Sequence, residues 1–152
     1  MVRGPLRDAT TDLAIPNLAR LVARLRDKSL AGCVTIVHAT NTAEGEFTLS
    51  LAAARLERYA IKSFGPEEST VADGIEYGAR IGAKVIFAGV LRRPDDGRAL
   101  RAAAKVGLKV AGIVTGHFAE AQTMVKALGP WAGYDLDFFS MASAPQHELG
   151  EG

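Results

Sequence analysis

One cysteine, Cys33, stands in 152 residues, which excludes an intramolecular disulfide and any multi-cysteine zinc site. That usage fits a reducing compartment, and the cytoplasm is the expected location. No run of about eighteen apolar residues occurs. The first thirty residues scatter Arg3, Arg7, Asp8, Asp12, Arg20, Arg24, Arg26, Asp27 and Lys28, leaving no room for a signal-peptide core. Neither export nor membrane insertion is expected. Charge of one sign is lacking as well: 18 Lys and Arg balance 17 Asp and Glu to a net +1, so nothing broad attracts nucleic acid or anionic lipid. Aromatics make up only 7%, which predicts an aliphatic core. Hydrophobic residues at 48% and charged ones at 23% are enough for a soluble globular core. The length suits one domain, expected over 1–142, with 1–11 a flexible lead-in and 143–152 a disordered tail.

Periodicity then divides the chain. Leu18, Leu21, Val22 and Leu25 keep helical spacing, with Thr11 or Asp12 as a cap, Pro16 near the first turn, and the arginines Arg20, Arg24 and Arg26 mostly off the apolar face. That helix should end near Ser29 to Gly32. Cys33 to Val37 is a short β-branched run, the pattern of a strand buried on both faces. A polar loop from His38 to Glu46 and a helix from Phe47 to Arg58 are expected to follow.

Tyr59 to Phe64 reads as a short extended segment, and Ser69 or Thr70 caps a helix from Val71 to about Ile81. Lys84 to Val90 is a second buried strand; a loop over Arg92 to Asp96 and a helix from Arg98 to Lys105, closed by Gly107, come after it. Leu108 to Thr115 is a strand, Phe118 to Leu128 a helix ended by Gly129-Pro130, and Leu136 to Met141 an edge strand. Strands alternating with helices at this spacing predict an α/β fold of three layers, with a mostly parallel sheet of about five strands covered on both faces. In such a sheet ligands bind at the carboxyl ends of the strands, so the loops after Val37, Val90 and Val114 are where chemistry would sit.

Over roughly Leu13 to Leu128 the chain resembles the secretion ATPase superfamily, the hexameric motors of type IV pili and of type II and type IV secretion. Val85-Ile86-Phe87-Ala88-Gly89-Val90-Leu91-Arg92-Arg93 is similar to the family's Walker B segment. Ala99-Leu100-Arg101-Ala102-Ala103-Ala104 is similar to its Ala-rich helix, and Val110 to Thr115 to the strand that enters its histidine box. The resemblance implies a RecA-like P-loop NTPase fold. It also implies ATP and Mg²⁺ as the ancestral ligands.

The departures fall on the positions that carry the family's chemistry. A working Walker A loop is G-x-x-x-x-G-K-S/T, whose backbone N–H groups face the phosphates while the lysine neutralises their charge and the hydroxyl holds Mg²⁺. At the matching place stand Thr40, Asn41, Thr42, Ala43, Glu44, Gly45, Glu46 and Phe47. Gly45 alone is kept; Glu46 takes the lysine position, Phe47 the hydroxyl position, and Thr48 is the nearest hydroxyl. A shift of one residue puts Gly45 and Glu46 on those positions and restores neither group. Repulsion between unit charges about 4 Å apart is roughly 1 kcal/mol in water and about 4 kcal/mol at an effective dielectric of 20. Glu44 and Glu46 in place of a lysine should therefore weaken a polyphosphate by roughly a thousandfold or more. In the Walker B-like stretch of Gly89, Val90 and Arg92, Val90 replaces the glutamate that would polarise water. In the histidine-box-like stretch of Thr115 and His117, the histidine is displaced by two positions. The acidic box is met loosely by Ser63 to Glu67, with Glu67 and Glu68 left.

Several single residues have both a structural and a functional reading. His38 ends a buried strand as a hydrogen-bonding group or as a ligand or base, and with His117 and Glu46 or Glu67 it is a candidate metal site without a metal-binding spacing. Arg92, Arg93, Arg98 and Arg101 make a solvated face or an anion site. Cys33 reads as a small core residue. Trp131, Tyr134, Phe138 and Phe139 close the core or form a docking patch.

These features predict a catalytically inactive secretion ATPase-like protein. It is expected to act by binding a protein partner, a pilus or secretion motor component or its regulator, with no cofactor favoured and an oligomer left open. The alternative is a nucleotide- or anion-binding module, or an enzyme, with a site rebuilt from His38, Thr40, Thr42, Glu46, Arg92 and His117. A self-associating structural protein is the third reading, on the aromatic C-terminal cluster alone.

Overall fold

The computed structural model describes residues 15–56, 61–63 and 70–142. In chain order they form α1 (Leu18–Arg26), β1 (Cys33–Ala39), α2 (Thr42–Ala54), β2 (Ile61–Ser63), α3 (Val71–Arg80), β3 (Val85–Val90), α4 (Pro94–Lys105), β4 (Lys109–Thr115), α5 (Phe118–Leu128) and β5 (Leu136–Ser140). The strands lie in the order β2-β3-β4-β1-β5, and every pairing is parallel. Four of them, β3-β4-β1-β5, are five to seven residues long; β2 is a three-residue edge. The β-branched runs read from the sequence are the central strands: β1 is buried along its whole length between β4 and β5.

Alternation along the strands supplies two cores. Val37, Ala39, Val85, Phe87, Ala111 and Ile113 face one way, against Leu18, Leu21 and Leu25 of α1 and Leu49 and Ala52 of α2. Val34, Ile36, Ile86, Val110 and Val114 face the other, against Ile75 of α3, Leu100 and Ala103 of α4, and Ala121, Val125 and Leu128 of α5. The three-layer α/β arrangement expected from the sequence is the observed one.

Several boundaries differ, each for a local reason. The N-cap of α1 is Asn17, in left-handed conformation at φ 63°, and its amide donates to the Ser140 carbonyl at 2.8 Å. Thr11 and Asp12, the expected caps, lie outside the described residues, as do the lead-in, the tail from Ser143 and the acidic box at Glu67. β1 runs on to Ala39 because its pairing with β4 continues through Ala39 and Thr115. α2 starts at Thr42 and not at Phe47, so the expected nine-residue loop shrinks to Thr40 and Asn41. α4 starts at Pro94 and not at Arg98, with Pro94 in the first turn where its missing N–H costs nothing. α3 begins after Thr70, whose hydroxyl accepts from the Asp73 N–H at 3.0 Å, as read from the sequence.

Two arginines of α1 are anchored on the sheet. Arg24, its side chain 13% exposed, donates to Thr35 Oγ1 at 2.7 Å, to the Val34 and Asp135 carbonyls at 3.0 Å each, and to the Asp135 carboxylate at 2.9 Å. Arg20 makes a two-pronged bond to Asp137 at 2.6 and 3.1 Å and lies over the Phe139 ring. Helix α1 is thereby fastened to β1 and β5. Lys109, buried at the start of β4, reaches back to donate to the Leu25 and Asp27 carbonyls and caps the end of α1. No helix among the described residues is long and apolar enough to cross a membrane.

Candidate functional site

All strands being parallel, their carboxyl ends share one edge of the sheet. From β1 the chain leaves toward β2 at one side, and from β4 it leaves toward β5 at the other, so the topological switch lies between β1 and β4. The segments there are Thr40-Asn41 after β1, Leu91 to Arg93 after β3, and Gly116-His117 after β4. They contain or adjoin Thr40, Thr42, Val90, Arg92, Thr115 and His117, whereas Gly89 lies within β3 and Gly45, Glu46, Phe47 and Thr48 lie further along α2.

Each of these junctions is closed by a carboxylate of its own helix. After β1, Glu44 Oε1 accepts the Thr40 N–H at 2.6 Å, while the Asn41 side chain accepts the Glu44 N–H at 2.8 Å. After β3, Asp96 Oδ2 accepts the Arg92 N–H at 2.7 Å and the Arg93 N–H at 3.1 Å, with the side chain buried. After β4, Glu120 Oε1 accepts the His117 N–H at 3.2 Å. Helix N-termini bind anions because their first N–H groups lack partners and carry partial positive charge. Here an internal anion sits at the start of α2, α4 and α5, each on the third residue of its helix.

The residues matched to the Walker A loop serve the helix instead. Thr42 opens α2. Gly45 is buried, and a Cβ there would lie 2.8 Å from Ile113 Cγ2 and 3.3 Å from Ala39 Cβ, so the glycine serves the close approach of helix to sheet. Thr48 is buried and its hydroxyl donates to the Gly45 carbonyl at 2.9 Å. Glu46 and Phe47 are exposed, Phe47 at 59%.

In the Walker B-like stretch, Gly89 has φ 81° where the β3–β4 register slips, and Val90 packs on the α1–α2 side of the sheet. Arg92 and Arg93 are exposed at this edge; Arg101 is not with them, because its guanidinium lies over the Trp131 ring and bonds the Leu128 carbonyl. The four-arginine face therefore does not exist as one patch. Thr115 pairs with Ala39 at the strand ends, and His117 is the N-cap of α5.

His38 is buried, and both ring nitrogens are engaged: Nε2 lies 2.7 Å from the Gly116 carbonyl oxygen and Nδ1 lies 2.8 Å from Ser140 Oγ. Among the described residues no group of three His, Cys, Asp or Glu side chains gathers to hold a metal ion. Phe118 stands edge-on to His38 at 5.3 Å and stacks on Phe138 at 5.4 Å, so part of the aromatic cluster belongs to this edge. Burial pushes the Cys33 thiol up from its ordinary value, which suits its reading as core. Ser140 and the capping role of Asp96 and Glu120 escape the sequence pattern. The one signal for the caps is an acid three residues after each helix start, and for Ser140 there is none.

No protein-family model matches the sequence, and no curated protein matches it. Among solved structures, the X-ray structure of the ATPase DotB of Legionella pneumophila is similar to this chain with a TM-score of 0.51 and 19% sequence identity. The match covers 74% of this chain and 38% of that one, so the chain spans well under half of the ATPase's length. The sheet and its helices thus share the fold of that ATPase, consistent with the RecA-like P-loop NTPase fold, on a chain whose strand ends are closed by Glu44, Asp96 and Glu120.

Proposed function

We propose that this chain keeps a secretion ATPase-like fold without the reaction and works as a cytoplasmic regulator or adaptor through contact with a protein partner. The observation that carries this reading is the closure of the three strand ends by Glu44, Asp96 and Glu120. A phosphate entering beside β1 would meet the Glu44 carboxylate already on the Thr40 N–H, with Glu46 one turn into the helix and no lysine in the motif. Val90 and His117 cannot replace the missing acid and histidine: one has no proton acceptor, and the other caps a helix.

The partner class comes from the resemblance: a component of a pilus, secretion or motility system. Co-purification of the tagged chain from its native cell tests it. A partner set containing a motor, platform or regulatory component of such a system, lost on unfolding point variants, is the expected result. A reproducible partner set with none of these contradicts the assignment.

A further inference from the structure

Ser140 and His38 meet in a geometry that the nucleotide reading does not use. A carbonyl oxygen only accepts, so the 2.7 Å contact between His38 Nε2 and the Gly116 carbonyl places the proton of the neutral ring on Nε2. Nδ1 is then left with its lone pair toward Ser140 Oγ, 2.8 Å away, and the hydroxyl donates to it. A hydroxyl, a base within hydrogen-bond reach, and a third group that orients the base are the parts of an activated nucleophile.

The three parts come from separate elements: the end of β1, the turn after β4 and the end of β5. They converge at the carboxyl edge beside the topological switch, where an open α/β sheet presents its ligand site. Ser140 is half-buried, whereas His38 is only 5% exposed. Burial keeps the imidazole ordered, while Ser140 as a residue remains partly exposed. Phe118, 40% exposed, stands edge-on to His38 and stacks on Phe138, supplying an apolar wall beside the imidazole. The Ala142 N–H donates to Ser140 Oγ at 3.1 Å and, with the His38 contact, fixes the position of the hydroxyl.

We propose that Ser140, with His38 as its base, is an acyl-accepting nucleophile for small apolar or aromatic esters. Ser140 Oγ attacks the ester carbonyl carbon and its proton passes to His38 Nδ1. The carbonyl–oxygen bond to the leaving group then breaks, and that group takes the proton from Nδ1. Water reverses the sequence: it adds to the acyl carbon while Nδ1 takes its proton, the bond to Oγ breaks, and the proton returns to Oγ as the carboxylic acid leaves. The Gly116 carbonyl holds the ring but carries no full charge, so the imidazolium is less stabilised than beside a carboxylate, and turnover is slow.

The test is reaction of the purified chain with 4-nitrophenyl acetate, followed by nitrophenolate release and by mass mapping of the acetyl group. The expected result is a burst stoichiometric with protein and acetyl on the peptide containing Ser140. The burst is lost in Ser140→Ala and slowed about 10²–10⁴-fold in His38→Gln. Equal rates for the native chain and Ser140→Ala, or acetyl on lysines alone, would overturn it. Should His38→Gln fail to fold, Ser140→Cys decides: a thiol paired with His38 is alkylated by iodoacetamide well below the ordinary thiol range, whereas a profile centred near about 8.5 overturns the pairing.

Discussion

Asp95 and Asp96 are neighbours in the first turn of α4, and removing either changes the net charge equally, yet the structure assigns them opposite weights. Asp96 is buried at 9% exposure and holds the Arg92 and Arg93 N–H groups at 2.7 and 3.1 Å. Asp95 is 83% exposed and pairs with Arg98, itself 68% exposed. Truncation of Asp96 to alanine orphans two backbone donors at about 1–3 kcal/mol each and removes a favourable anion from a helix N-terminus. The side chains of Arg92 and Arg93 are exposed, so water reaches part of this junction and the lower end applies. Asp96→Ala should cost about 2–3 kcal/mol, Asp96→Asn about 1 kcal/mol because an amide oxygen still accepts, and Asp95→Ala no more than about 0.5 kcal/mol. Urea unfolding at neutral pH reads these values as shifts in midpoint at constant slope. Equal losses for Asp95→Ala and Asp96→Ala would refute the idea that internal carboxylates close the strand ends.

Gly97 lies on α4 where an added Cβ would stand 2.0 Å from the Leu128 carbonyl oxygen. Gly97→Ala should therefore destabilise by about 2 kcal/mol in the same assay, although a helical glycine free of contacts would gain about 1 kcal/mol from the change. Lys109→Met removes the donor from the Leu25 and Asp27 carbonyls. It should cost about 1–3 kcal/mol, and hydrogen exchange should show α1 losing protection before the strands do. Cys33 is buried with its pKa raised, chiefly by desolvation, from an ordinary 9.0. The folded state then holds its proton more tightly than the unfolded state. This contribution to stability is full below the unfolded value and declines as pH rises through it toward the folded one. Cys33→Ala should flatten the alkaline part of the stability profile, and iodoacetamide should label native Cys33 only as fast as the chain opens.

The fold was legible in the sequence because burial on both faces writes itself as β-branched runs: Cys33 to Val37, Val85 to Val90 and Val110 to Val114 all lie within central strands. Helix starts were less legible after β1, where the polar run from His38 to Glu46 reads as a loop. Asn41 and Glu44 form a capped helix start that local chemistry alone would place at Thr42. The partners of the α1 arginines were hidden for another reason. Helical spacing puts Arg20 and Arg24 off the apolar stripe, but only the sheet order brings Asp135 and Asp137 of the distant β5 region beneath them. The same long-range placement hid Ser140 beside His38, 102 residues apart in sequence. Of the residues singled out for nucleotide binding, Thr40, Arg92 and His117 lie at the carboxyl edge of the sheet, while Gly45 and Thr48 pack and brace α2.

Calorimetric titration of Mg²⁺–ATP into the purified chain addresses the central claim most directly. With Glu44, Asp96 and Glu120 occupying the helix starts, no saturable heat is expected up to about 1 mM nucleotide, and Glu46→Lys should not create any, since a single cation does not rebuild the absent loop. Stoichiometric binding well below that concentration, weakened by Gly45→Ala or by substitutions at Thr40 and Thr42, would contradict it and make the strand ends a working nucleotide site.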